Sequence, residues 1–414
     1  MSAVLARCKS RHLSGLTLAG LVWSVLSGLS ALSSPASVAQ SADADCAGVR
    51  DISAILSVVT EQFYDRRFNG LNWSSEVADA VEATQCDDKP EQVTERVNSL
   101  LARLNASHTG VYSQSDLDYW GLNSLFHFDG LDAYTLPFAG VWATLEGNSQ
   151  SANPRWFATH VLNGSAAETA GILQGDELML LNGDVFSPTR FMPGINRLQV
   201  TSDGVTSREV TIDVPEQSVM RAFVDASAAS ARVLDLPSIG KRIAYYRIWA
   251  ARDQIQRSFQ QAMDDFSEAD IDALIVDLRG GFGGTSDDYL SAVRFMRAQN
   301  PLPMYFIIDD SVRSGKELMA ALVRRDGLGT LVGSTTAGDY LSGRMNRLLD
   351  NRYFLYVAAG TFPTPGTGDI EGVGVAPDIE VAPCRQHCSG RDPILDRVLQ
   401  LIIEQPDNTD VSGQ

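Results

Sequence analysis

Hydrophobic and polar positions alternate differently in three successive stretches of the chain. From 46 to about 106 the apolar residues recur at helical spacing: Ile52, Ile55, Leu56, Val59 and Phe63, then Val77, Ala80 and Val81, then Val93, Val97, Leu100, Leu101 and Leu104. Recurrence at i, i+3, i+4 and i+7 puts each set on one helix face and predicts a small helical bundle. From about 136 to 215 the pattern becomes short β-branched runs broken by glycine, which predicts strands. Residues 216–240 are rich in Ala and Ser and read as a connection. Beyond them, apolar strands at 243–249, 273–277, 304–308, 330–332, around 353–358 and 379–381 alternate with helices at 252–266, 287–298 and 315–325. Such alternation predicts an α/β layer of βαβ units, with any catalytic groups on the strand-to-helix loops.

The first forty residues differ from all of this. Arg7, Lys9 and Arg11 precede an apolar stretch at 13–32 and the small-residue run Ser37-Val38-Ala39, the layout of a secretory signal peptide cleaved after Ala39. An uncleaved membrane anchor is the alternative, since the stretch is nearly long enough to span a bilayer but is diluted by Ser and Gly. No later segment approaches that length. The expected location is therefore periplasmic or extracellular. Losing residues 1–39 removes three basic and no acidic residues, so the net charge moves from −18 to −21. A chain so acidic repels nucleic acid and anionic lipid. With 44% hydrophobic and 20% charged residues it is an ordinary globular composition, and 414 residues allow two or three domains of about 100 to 200 residues each.

Cys8 leaves with the leader, and four cysteines remain for an oxidising compartment. Cys46 with Cys86 and Cys384 with Cys388 is the favoured pairing of the three possible, because each pair lies within one local segment. A zinc site with His387 as a further ligand is the alternative, although the paired CxxC or HxxxH spacing is missing.

The segment Asn163-Gly164-Ser165-Ala166-Ala167-Glu168-Thr169-Ala170-Gly171-Ile172-Leu173-Gln174-Gly175-Asp176-Glu177-Leu178-Met179-Leu180-Leu181-Asn182-Gly183 resembles the core of a PDZ domain. It combines a small-residue helix, an Ala-Gly-Ile turn, a Gly-Asp pair and a strand ending in Asn-Gly. The resemblance implies that an upstream loop and strand, here Phe138, Gly140, Val141 and Trp142 around Ala139, receive a peptide by β-augmentation. A PDZ-like fold serving only as a lid or spacer is the competing reading.

Two loops could carry chemistry. Ser314 follows the apolar strand 304–308 and opens a helix that begins Gly315-Lys316-Glu317-Leu318. Ser-x-x-Glu is a capping box, so Ser314 can be a cap alone. It can equally be a nucleophile whose following backbone N–H groups stabilise an oxyanion. Asp277-Leu278-Arg279-Gly280-Gly281-Phe282-Gly283-Gly284 is a strand running into a glycine-rich turn, which permits the close backbone approach an oxyanion loop needs. A phosphate-binding loop competes, but neither Gly-Lys-Ser/Thr nor GxGxxG follows.

These loops, together with Leu331-Val332-Gly333-Ser334-Thr335-Thr336-Ala337-Gly338 and Glu371-Gly372-Val373-Gly374-Val375-Ala376-Pro377-Asp378-Ile379, resemble the tail-specific (carboxyl-terminal-processing) and tricorn-core serine proteases. The resemblance covers nearly the whole mature chain. It implies a crotonase-like βαβ catalytic core at 218–400 and an inserted PDZ-like β domain at 136–217. Before these come a signal peptide at 1–39, a helical bundle at 40–110 ending in the Ser-His motif, and a connection at 111–135; a tail at 401–414 follows. The tail-specific branch takes its base from a lysine in a Gly-Lys-Gly turn, but Asp339 occupies the matching position here. The tricorn-like branch uses an upstream Ser-His pair and a late glutamate, which map onto Ser107-His108 and Glu371.

The resemblance thus implies an exported endopeptidase in which Ser314 attacks and His108 is the base. Ser107 and Glu371 orient the imidazole, and the N–H groups of Gly315 and Gly283 bind the oxyanion. The expected substrate is a polypeptide, with no metal or nucleotide needed; the sequence leaves the oligomeric state open. Two other classes fit the same residues. One is a non-catalytic peptide- or lipid-binding relative, in line with Gly315-Lys316 after the serine and with Gly-Ser-Thr-Thr where Gly-Glu-Thr-Thr is commoner. The other is an esterase or amidase for small substrates.

Overall fold

The computed structural model describes residues 46–126, 132–147, 154–299, 301–362 and 364–404. The expected leader with Cys8, and residues 405–414 of the expected tail, lie outside the described residues.

The N-terminal helices Ala47–Gln62, Trp73–Glu82 and Pro90–Ala102 form as their periodicity predicts. Their apolar faces do not close on one another alone. Ile52, Leu56, Val59, Val97 and Leu101 pack against Tyr353, Leu355 and Val357, residues some 250 positions later in the chain. Those belong to a strand, Tyr353–Gly360, that lies between Ser342–Leu348 and Gly110–Ser113 in an antiparallel sheet. Gly110 pairs with Tyr356 and Ser113 with Tyr353. The boundary expected at 110 is therefore crossed by a sheet, which fastens the end of the bundle to the C-terminal half. The structure pairs Cys46 with Cys86, 40 residues apart. Closing a loop of that length removes chain entropy from the unfolded state, so a Cys46→Ser, Cys86→Ser variant should lose about 4 kcal/mol, read as a lower urea midpoint.

A six-stranded sheet carries the C-terminal half, in the order Arg232–Leu236, Lys241–Arg247, Ala273–Asp277, Met304–Ile308, Thr330–Gly333, Ile379–Glu380. All neighbours are parallel except the first pair. The central strands Ala273–Asp277 and Met304–Ile308 are buried along their whole length because both faces are covered, and apart from Asp277 they are apolar. Ala244, Tyr246, Leu274, Val276, Phe306 and Ile308 face a core shared with the helices Asp253–Glu268, Asp287–Gln299 and Gly315–Arg325. Ile243, Tyr245, Ile275, Tyr305 and Ile307 face the helix Pro393–Glu404 through Ile394, Val398 and Ile402.

Three expectations need correction. The Ala/Ser-rich stretch 216–240 is not a plain connection: Val219–Ser230 is a helix, capped by the Ser218 hydroxyl, which accepts from Arg221 N. Alanine has the highest helix propensity, and Met220, Phe223 and Ser227 bury one face, so tertiary packing completes what composition suggested. The expected connection at 111–135 contains the strand Gly110–Ser113 and the helix Leu117–Leu125, whose Leu117, Leu122 and Leu125 are buried in the main core. The expected tail boundary at 401 falls inside the last helix, where Ile402 is buried.

The middle stretch folds into a second antiparallel sheet, Val141–Glu146, Arg155–Val161, Glu177–Leu181, Gly194–Thr201 and Ser207–Val214, with its own core around Val141, Leu178, Leu198 and Ile212. Val141–Glu146 is an edge strand of this sheet. The segment Cys384–Cys388 is closed by the second disulfide and bonds to the same module, His387 N–H donating to Gly175 O at 2.7 Å. That disulfide occupies the thiols the zinc alternative required.

Candidate active site

The strand Met304–Ile308 delivers the chain to a turn that ends at Ser314, the residue before the helix Gly315–Arg325. Ser314 has φ 57° and ψ −126°, a conformation costly for a residue with a Cβ and held only where surroundings impose it. Its backbone N–H donates to Asp339 O at 2.9 Å and to the Glu317 carboxylate at 3.1 Å. Glu317 is fully buried and also accepts from Thr336 Oγ1, Gly338 N and Asp339 N at 2.6, 2.6 and 2.9 Å. The capping spacing read from the sequence therefore does more than end a helix. It locks the Ser314 turn to the 336–339 loop.

Glycine is required on both sides of the serine. A Cβ on Gly315 would stand 1.3 Å from Gly284 O, and one on Gly283 would stand 2.4 Å from the Ser314 Cβ. The glycine-rich turn thus runs directly against the serine, with the Gly283 and Gly315 backbone on its two sides. The first N–H groups of a helix have no intrahelical acceptor and are available to an anion.

Ser107, His108 and Glu371 come together from distant parts of the chain. Glu371 accepts from Ser107 N at 2.9 Å, from Ser107 Oγ at 2.7 Å and from Tyr340 N at 2.7 Å. Ser107 Oγ lies 3.0 Å from His108 Nδ1 and accepts from Leu341 N at 3.1 Å. Since the Ser107 hydroxyl proton goes to Glu371, its remaining lone pair must accept from Nδ1–H. That assignment leaves Nε2 unprotonated, the tautomer a general base needs. Burial, and secondarily the Arg313 charge, pull the His108 pKa down to about 4, with Glu371 opposing them.

His108 and Ser314 line one cavity of about 270 Å³, together with Tyr112, Leu122, Phe282 and Tyr356. Among the described residues no hydrogen bond joins the two side chains. The His108 ring instead packs edge-on against Tyr356, with centroids 5.2 Å apart. Arg313 and Asp339 line both this cavity and a neighbouring one of about 330 Å³, which is bounded by Trp142, Thr144, Thr159 and His160 of the middle sheet. The cleft beside Ser314 therefore continues towards the edge strand Val141–Glu146.

Of the four residues expected to receive a peptide, Trp142 lines that second cavity, while Val141 is buried in the module core and pairs with Val161. Gly140 has φ 81°, and a Cβ there would meet the Ser165 Cβ at 2.3 Å. The Gly140 carbonyl accepts from Leu162 N at 2.8 Å, and Phe138 is buried. The Phe138 N–H donates to Pro215 O and its carbonyl accepts from Gln217 Nε2, so its N–H is already engaged within the protein.

Asp339 carries no amine to the serine, and Lys316 does not replace one: its Nζ is buried against the carbonyls of Ile248, Trp249 and Gly280. Sequence reasoning missed the locking role of Glu317 and the N–H groups of Tyr340 and Leu341; only Glu317 left a signal, as a capping residue. Among the described residues no group of three or more His, Cys, Asp or Glu side chains could hold a metal ion.

Residues 294–381 match the family described as Peptidase family S41. The chain is 18% identical over 361 residues to carboxyl-terminal-processing peptidase 3, chloroplastic, of Arabidopsis thaliana, covering 78% of this chain and 67% of that one. It is 21% identical over 362 residues to the C-terminal processing peptidase, chloroplastic, of Tetradesmus obliquus, covering 78% and 75%. Its mixed α/β fold matches that of a photosystem II D1 C-terminal processing protease with a TM-score of 0.50 at 17% identity, over 81% of this chain and 92% of that one. The helix, turn and closing motif around Ser314 and Glu371 fall inside or beside the segment that matches peptidase family S41, and with the processing-peptidase relatives this identifies a serine-type peptidase.

Proposed function

We propose that the chain is an exported endopeptidase that cleaves polypeptides through an acyl-enzyme, with Ser314 as nucleophile and His108 as general base. Ser107 and Glu371 hold the imidazole, and the N–H groups of Gly315 and Gly283 stabilise the oxyanion. His108 takes the Ser314 proton on attack, returns it to the leaving amine, and activates water for deacylation. The observation that carries this reading is the Glu371–Ser107–His108 chain of hydrogen bonds, which ends on a histidine in the same cavity as Ser314. The open His108–Ser314 contact fits a resting enzyme, whose catalytic bonds tighten when substrate binds.

In this reading residues 218–400 form a crotonase-like core, and 136–217 a PDZ-like module whose edge strand Val141–Glu146 takes an extended polypeptide by β-augmentation and feeds it along the cleft. The two disulfides support export, since such bonds persist in oxidising compartments. Among the described residues no helix is long and apolar enough to cross a membrane.

A fluorophosphonate probe tests the assignment. The purified chain should be labelled stoichiometrically, and peptide mapping should place the phosphonyl adduct on Ser314. An unlabelled protein that still binds peptides would favour a non-catalytic binding role, and turnover of simple esters without peptide cleavage would favour a small-substrate esterase.

A further inference from the structure

Lys316 is fully buried, two residues beyond the serine, in a position the mechanism above does not use. Its Nζ donates to Ile248 O at 3.1 Å, to Trp249 O at 3.5 Å and, at closer range, to Gly280 O. We infer that Lys316 is a positioning residue for the transition state, bracing the Gly280–Gly284 turn so that the Gly283 N–H stands at the serine; this rests on Ser314 being the nucleophile.

Three features of the turn make the brace necessary. Gly280 and Gly281 adopt φ 71° and 65° in succession, a left-handed pair that glycine enters freely and also leaves freely. The backbone of the strand that follows, Phe282–Gly284, makes a two-stranded pairing with Ala250–Ala251, interrupted by a register shift, while the Phe282 ring is buried against Trp142 and Phe223. The backbone bonds along this pairing are Phe282 N–H to Trp249 O and Thr285 N–H to Ala251 O, and Gly280 N–H donates to Ser311 Oγ. Lys316 joins the two sides of this weak pairing. One ammonium group gathers the carbonyls that precede Ala250 and the carbonyl that begins the glycine turn. Because it also sits on the first turn of the Ser314 helix, the serine, the turn and the 248–251 segment move as one body.

The chemistry of the amine fits the role. Three converging carbonyls call for three N–H donors, which only the protonated form supplies. Burial, followed by Arg247 and with Arg313 adding, pulls the Lys316 pKa well below its usual range, while Asp277 and Asp309 oppose the shift; the three carbonyl acceptors are what favour the protonated form against it. The neutral ring of His160, packed on Gly280 and held well below its usual range by burial and by Arg247, adds no further charge. A leucine or methionine here would satisfy packing but leave the carbonyls without donors, so packing alone does not account for a lysine.

The test compares Lys316→Met with Lys316→Gln, which keeps two N–H donors. Kinetics on an unstructured peptide should show kcat lowered by about 10²-fold in Lys316→Met, the scale of losing one oxyanion donor, with KM within about twofold of the parent. Affinity for a peptide aldehyde, which forms a tetrahedral adduct, should fall in proportion to kcat/KM, while affinity for the product peptide stays constant. Lys316→Gln should lie between. Unchanged kcat in a folded Lys316→Met protein overturns the inference, as does an equal loss of aldehyde and product affinity. Failure of both variants to fold would assign Lys316 to stability alone and also overturn it. Parent protein that is not labelled at Ser314 by a fluorophosphonate would remove the underlying reading; parent labelled normally beside a fully active Lys316→Met would sink only the present one.

Discussion

Ser314→Ala should lower kcat/KM on a polypeptide substrate by on the order of 10⁶-fold, and His108→Ala by a similar factor, with the double variant scarcely worse than either. In the proposed mechanism nucleophile and base act as one unit, so removing the second after the first costs almost nothing, whereas two independent contributions would multiply. Progress curves for the three variants, with circular dichroism to show that each is folded, check this. Additive losses would mean that another group accepts the serine proton. The pH dependence gives a second handle on the same pair. With the folded pKa of His108 pulled down to about 4, the imidazole is a free base throughout the neutral range, and the acid limb of kcat/KM should fall near pH 4 and not near 6.5. The sign for stability is also set. The folded protein binds this proton less tightly than the unfolded chain, so the stabilising contribution of neutral His108 is complete above 6.5 and is lost progressively as pH falls from there towards 4.

Arg279→Met should destabilise the fold by about 3 to 5 kcal/mol, because it strands a buried carboxylate. Asp277 is wholly buried at the end of its strand and accepts from Arg279 N, Nε and Nη2 at 3.0, 2.9 and 2.6 Å and from the Tyr245 hydroxyl at 2.8 Å. Arg279 in turn bonds both oxygens of Asp392, at 2.9 and 2.7 Å, which ties the strand end to the last helix. Burial raises the Asp277 pKa, but the charges of Arg279 and Arg247 and the bonds from Arg279 overcome it and hold the carboxyl below the usual carboxylate range. A depressed folded pKa means that this stabilisation is full above the unfolded value of 3.8 and is lost as pH falls below it. Urea unfolding at pH 7 should show a lower midpoint with an unchanged slope. The difference between variant and parent should shrink in acid, where Asp277 becomes neutral in both. Since Arg279 directly precedes Gly280, the variant should also lose activity, and an active Arg279→Met would detach this network from the glycine turn.

Much of the fold was legible because the relevant signals are local. The helices of the first hundred residues and the parallel strands follow from apolar periodicity, which a chain must satisfy wherever it buries a face. The helix Val219–Ser230 was not legible, as its Ala/Ser composition suits helix and loop alike until Met220 and Phe223 find a core to enter. Within the site, the Ser314 turn and its glycines were visible as a strand-to-helix loop with a capping pattern. The backbone partners of Phe138 were not legible, because a resemblance gives the order of a motif, not which backbone groups the rest of the protein engages.

By itself the sequence determined the residue types available for chemistry, the elements that carry them and the lysine missing at Asp339, and it favoured the pairing of Cys46 with Cys86 and Cys384 with Cys388 that the structure shows. Only the tertiary structure decided that Glu371 reaches Ser107, 264 positions away. It alone decided that the strand pairing Gly110 with Tyr356 brings His108 to the Ser314 cavity, and that Lys316 turns into the protein to hold a glycine turn. The reason is physical: periodicity and capping are satisfied within a few residues, whereas a buried carboxylate or ammonium takes whichever distant donors or carbonyls the packed core brings within about 3 Å.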